Sequence, residues 1–103
     1  MSKLVIADTS CLIVLQKIER LLLLKDIFSE ITITQEVANE YGEPLPEWIQ
    51  ITELKDTVKK RILQLELDEG EASAIALALE NEDSLVLIDE RKEERLLDFI
   101  STF

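Results

Sequence analysis

The sequence predicts an α/β fold, a three-layer α/β/α sandwich around a central parallel sheet of about four strands. Three observations predict it. Short apolar runs alternate with helix-forming stretches along the whole chain. The first run is apolar on both faces, as a strand in a parallel sheet must be. Two apolar runs, one near each end of the chain, finish in an aspartate, Asp8 and Asp89. No long linker, internal repeat or low-complexity tract interrupts the 103 residues, so 1–103 reads as a single domain.

The elements follow in order. Lys3-Leu4-Val5-Ile6-Ala7 reads as the first strand. Ser10 is a suitable N-cap for a helix beginning at Cys11 and running to about Gln16. A second helical stretch spans about Glu19 to Phe28, with Leu21, Leu24 and Phe28 on one face and Leu22 and Leu23 widening the stripe. Ile31-Thr32-Ile33 is a β-branched strand. Thr34 then caps a helix from Gln35 to Tyr41, and Gly42 ends it. After a loop bracketed by Pro44 and Pro46, Trp48 to Thr52 forms the third strand. Asp56 to Glu66 reads as a helix with Val58, Ile62 and Leu65 on one side. Asp68-Glu69-Gly70 breaks that pattern, and an alanine-rich helix runs from Glu71 to Glu80 with Ala72, Ile75, Ala76 and Leu79 inward. Ser84 to Ile88 is the fourth strand, and Arg91 to Ile100 the last helix.

Composition removes several chemistries. The chain is 47% hydrophobic and 32% charged, which is globular rather than disordered. It has no histidine, so Ser-His-Asp and Cys-His catalysis and histidine-based zinc sites are excluded. Eleven basic against 22 acidic residues leave a net charge of -11, which repels nucleic acid unless metal ions or a basic patch intervene. Cys11 is alone, so a reducing cytoplasm is expected, and its apolar setting reads as a small buried hydrophobe. The first apolar run is too short for a signal peptide, and charges at Lys17, Glu19, Arg20, Lys25 and Asp26 break the longer one, so no membrane association is expected. With Gly42 and Gly70 as its only glycines, the chain has no glycine-rich phosphate loop for a nucleotide.

What remains is carboxylate chemistry. If the first and fourth strands are neighbours, Asp8 and Asp89 point into one crevice at their carboxyl ends. Glu36 and Glu40 share a helical face, with Glu36 expected toward solvent and Glu40 better placed. Glu71 opens the alanine-rich helix. Each has an ordinary role when taken alone: a turn or cap for Asp8, a solvated surface for Glu40, a favourable helix terminus for Glu71, a helix start for Asp89 and Glu90. Converging carboxylates require a compensating cation, and an all-oxygen donor set selects Mg2+ or Mn2+. Such a site cleaves phosphodiesters without histidine.

Four segments carry a family resemblance. Val5 to Ile13, Ile33 to Glu40, Asp68 to Ala78 and Leu87 to Arg91 resemble, in order and spacing, the acidic motifs of PIN domains. The branch they resemble most is prokaryotic, near the VapC-type toxin nucleases. The resemblance implies a Mg2+- or Mn2+-dependent ribonuclease, often the toxin of a toxin–antitoxin pair, with RNA as substrate and an antitoxin protein as partner. It carries Asp8, Glu40, Glu71 and Asp89 over as metal-binding catalytic acids, with Glu90 as a register alternative to Asp89. Ser10 would support the site by hydrogen bonding to a ligand water or carboxylate. Arg91, Lys92 and Arg95 would meet the RNA backbone or form a plain solvated helix face. Related domains continue through a further strand and helix, so the chain is expected to be shortened at its C-terminus, to lack an edge strand and to cover the exposed surface with a partner or a second copy.

Two other function classes compete. One is a catalytically weak or inactive PIN relative that oligomerises or binds an antitoxin. The other is phosphoryl transfer through Asp8, as in haloacid-dehalogenase-like phosphatases, but those place a second aspartate where this chain has Ser10.

Overall fold

The structure, a computed structural model, describes residues 3–88. Strand β1, Leu4–Ala7, lies inside a four-stranded, all-parallel sheet. Its alternate side chains serve two cores. Val5 and Ala7 enter one, while Ile6 enters the other. Helices therefore cover both faces, as the fold class requires.

Helix α1 is Thr9–Lys17, and its N-cap is Asp8, not the expected Ser10. Asp8 is extended, and its carboxylate accepts from the Thr9 N–H at 2.6 Å and the Ser10 hydroxyl at 3.0 Å. The strand thus passes into the helix two residues earlier than expected. Helix α2, Leu22–Phe28, starts later than Glu19, because Glu19 sits at φ 56 and cannot continue a right-handed helix. Leu24 is buried, whereas Leu22 and Leu23 face outward.

Strand β2, Ile31–Thr34, is buried on both faces. Ile31 and Ile33 fill the core shared with α1 and α2. Helix α3, Gln35–Tyr41, follows at once, capped by Thr34, and ends at Gly42 in the left-handed conformation at φ 70. Strand β3 is Ile49–Thr52, helix α4 Val58–Leu63, helix α5 Glu69–Leu79 and strand β4 Ser84–Leu87. The strand order is β3-β2-β1-β4, so the order reverses between β1 and β4. The Asp8 N–H donates to the Leu87 carbonyl at 3.1 Å, extending that pairing to the point where the candidate site begins.

Two helix faces differ from expectation. In α4 the buried positions are Leu63, and Leu67 just beyond the helix, while Val58, Ile62 and Leu65 are exposed. The helix ends at Leu63, so a stripe reaching Leu65 has no continuous face to occupy. In α5, Ala72, Ile75 and Ala76 pack on α4 through Leu63 and Leu67, and it is Ala74 and Leu77 that meet the sheet at Ile6. Leu79 is 59% exposed. A helix sandwiched between a sheet and another helix buries two faces, which a one-sided stripe does not anticipate.

A run of hydroxyl groups joins β2 to α5. Ser73 Oγ donates to the Gly70 carbonyl at 2.8 Å, which uses its proton. The Thr34 hydroxyl, 2.6 Å away, must therefore donate to Ser73 Oγ, and it accepts from the Val37 N–H at 3.1 Å. Thr34→Val removes the cap and orphans the Ser73 oxygen in a buried site. Urea denaturation should find the variant about 2 kcal/mol less stable than wild type.

Candidate active site at the carboxyl end of β1

Three chain segments meet beside the switch in strand order. Asp8 comes directly off β1 and is fully buried. Its two carboxylate oxygens are oriented by Thr9 N–H and Ser10 Oγ, so the group cannot swing freely. Glu71 lies in the first turn of α5 and is 1% exposed. The start of that helix is set by Asp68, whose Oδ1 accepts from the Glu71 N–H at 2.9 Å. The sequence-based start at Glu71 was two residues late, since Asp68 is the cap and Glu69 and Gly70 are already helical.

Glu40 reaches the same place from the last turn of α3. A Cβ built on Gly70 would stand 3.0 Å from Glu40 Oε1, 3.0 Å from Oε2 and 3.0 Å from Thr9 Oγ1. The missing side chain at position 70 is thus what admits a carboxylate from α3 and a hydroxyl from α1 against the start of α5. Asp8 precedes that threonine and Glu71 follows that glycine. Asp89 and Glu90, together with Arg91, Lys92 and Arg95, lie outside the described residues.

Among the described residues, no three acidic side chains come close enough to enclose a metal ion by themselves. The donors nevertheless suit a hard divalent cation, being carboxylate and hydroxyl oxygens only. The buried Thr9 Oγ1 has no hydrogen-bond partner, which marks a polar position that the protein chain leaves unfilled.

Glu36 is not directed to solvent as the sequence suggested. Its side chain is held by Lys60 of α4, with Nζ at 2.9 Å, and the same ammonium reaches Glu69 at 3.3 Å. Lys60 thereby ties α3, one turn before Glu40, to α5, two residues before Glu71. A polar groove of about 390 Å³ opens here, with Gln35 and Asn39 on one side and Glu53 and Thr57 on the other. Cys11 is half-buried, and burial followed by the charge of Asp8 pushes its thiol pKa up, away from the thiolate form that a nucleophile needs.

A family model described as a PIN domain matches residues 4–98. The chain belongs to the PIN-domain family. No curated protein and no solved structure shows a significant match to it. PIN domains are a nuclease-type family that generally uses divalent metals. In this PIN domain, sequence reasoning overlooked Thr9, Gly70, Lys60 and Ser73. A glycine opening an alanine-rich helix signals close approach and could have been used. Nothing local marks the other three.

The hydrogen bond to Glu36 holds the Lys60 ammonium above its ordinary value of 10.5; burial opposes this and the bond to Glu69 adds to it. The folded state therefore binds this proton more tightly than the unfolded state. Its stabilisation is complete below about 10.5 and is lost as pH rises through the raised value. Thermal melts should show Lys60→Met less stable than wild type at neutral pH, with the gap narrowing in strongly alkaline buffer.

Proposed function

We propose that this PIN domain is a Mg2+- or Mn2+-dependent ribonuclease that hydrolyses RNA phosphodiesters, and that it acts as the toxin of a toxin–antitoxin pair related to the VapC-type nucleases. The observation that carries the reading is the approach of Glu40 and Thr9 to Gly70, flanked by buried Asp8 and Glu71. Asp8, Glu40 and Glu71 would hold the cation, with Asp89 as the fourth acid and Glu90 as its alternative. When bound, the cation activates water and stabilises the leaving oxygen.

The chain's own residues prepare that chemistry. Thr9 N–H and Ser10 Oγ hold the Asp8 carboxylate in one orientation. Lys60 offsets one of the two negative charges of Glu36 and Glu69, which lowers the repulsion on an RNA strand entering the groove beside Asn39. Arg91, Lys92 and Arg95 would add contacts to the RNA backbone. The absence of histidine costs this scheme nothing, since proton transfer runs through carboxylates and water. A cytoplasmic setting agrees with the lone cysteine. No described helix is long and apolar enough to cross a membrane.

The experiment is cleavage of single-stranded RNA by the purified chain with Mn2+. Asp8→Asn should lower the rate by at least about a hundredfold while leaving the melting temperature close to wild type. Undiminished cleavage by the variant would exclude Asp8 from the site.

A second reading, an oligomerising or antitoxin-binding protein, draws on a separate observation. Val14 and Ile18 at α1 and Leu22 and Ile27 at α2 are each more than half exposed, at 53%, 57%, 62% and 66%. Val14 also lines a hollow of about 240 Å³, together with Ser10, Cys11, Leu15 and Ile88. Apolar side chains exposed to this degree on neighbouring helices are candidates for a contact surface. If it joins two copies, sedimentation should find wild type dimeric and the double variant Leu22→Glu, Ile27→Glu monomeric; a monomeric wild type excludes self-association.

A further inference from the structure

Thr9 stands out among the residues around Asp8. It is 1% exposed, its Oγ1 is fully buried, and that atom has no hydrogen-bond partner. A buried hydroxyl left in this state costs roughly 1–3 kcal/mol. Threonine in a helix usually avoids the cost by bonding back to a carbonyl one turn earlier. Thr9 cannot, because it is the first residue of α1 and the preceding residues belong to β1. Its backbone N–H is already given to Asp8. The hydroxyl lies 3.0 Å from the point above Gly70 that both oxygens of Glu40 also approach at 3.0 Å. It therefore lies close to the point that Glu40 approaches, on the residue that follows Asp8 in the chain.

Packing does not explain the hydroxyl. Valine has the same shape and would fill the site without an unsatisfied oxygen. No group of the chain bonds to the hydroxyl, so a ligand beside Glu40 and Gly70 is what it would serve. Resting on the divalent-metal reading above, we infer that Thr9 is a further residue of the cation site, and that its hydroxyl contacts the hydrated Mg2+ or Mn2+ held by those acids. Mg2+ keeps several of its waters when protein-bound, so a neutral hydroxyl beside the carboxylates supplies a partner that another acid could not supply without added repulsion. Gly70 belongs to the same arrangement, because any side chain there would occupy the space that Thr9 and Glu40 line.

The test measures metal affinity and metal-free stability separately. Mn2+ is titrated calorimetrically into the full chain, and the metal-free proteins are melted. Thr9→Val should bind Mn2+ at least about tenfold more weakly than wild type, the loss typical of a residue that supports metal ligands. Its metal-free melting temperature should equal or exceed that of wild type, because an unsatisfied oxygen has gone. Thr9→Ser, which keeps the hydroxyl, should retain the affinity. Equal Mn2+ binding by wild type and Thr9→Val overturns this inference and leaves the nuclease reading standing. A lower metal-free melting temperature for Thr9→Val also overturns it, since the hydroxyl would then have a structural partner. Equal loss of affinity in Thr9→Ser assigns the effect to the methyl group and overturns it too. A wild type that binds no Mn2+ at millimolar concentration overturns the metal-dependent reading itself.

Discussion

The first turn of α5 approaches α1 and α3 so closely that a Cβ at position 70 would stand 3.0 Å from Thr9 Oγ1 and from both Glu40 carboxylate oxygens. Much of the structure supports that contact. Asp68 decides where α5 begins, and so which way Glu71 faces. The hydroxyl run through Thr34 and Ser73 to the Gly70 carbonyl ties the same turn to the end of β2. Lys60 ties it to α3 from the other side. Small residues at 72, 74 and 76 let the helix lie close to both the sheet and α4. If α5 moved outward, Glu40 and Thr9 would lose their common meeting point and the buried acids their arrangement.

This arrangement works against electrostatics. Asp8 and Glu71 are buried carboxyl groups in a chain of net charge -11, and burial of charge is tolerated only with compensation. Local devices help. Asp8 accepts two hydrogen bonds from α1, and the acids just outside the site, Glu36 and Glu69, share one lysine. The same surplus of acid that discourages RNA binding supplies the hard oxygen donors a divalent cation prefers. A bound cation would therefore serve stability and substrate approach together, by removing repulsion within the fold and between the protein and phosphate.

Local features were legible where a rule acts within a turn of chain. The Thr34 cap, the Gly42 stop and the β-branched second strand were read at their correct positions, because each depends on neighbours a few residues away. The helices that start at Thr9 and Glu69 begin two residues before the positions the sequence suggests, since the carboxylate that caps each also looks like the end of the preceding segment. The inward faces of α4 and α5 differ from the sequence pattern because α4 ends at Leu63 and α5 is buried on two sides, which leaves no single stripe.

By itself the sequence determined the alternation of strands and helices, the aspartate at the end of β1 and the exclusion of histidine chemistry. These follow from residue type and short-range periodicity, which need no partner across space. Only the tertiary structure decided that β4 lies beside β1, that Glu36 belongs to Lys60 rather than to solvent, and that Thr9, Glu40 and Gly70 share one point. Those relations join residues 24 to 80 positions apart, and depend on strand order and on how closely one helix can approach another. The missing Cβ at position 70 accommodates that approach, and its consequence is invisible until the helices around it are in place.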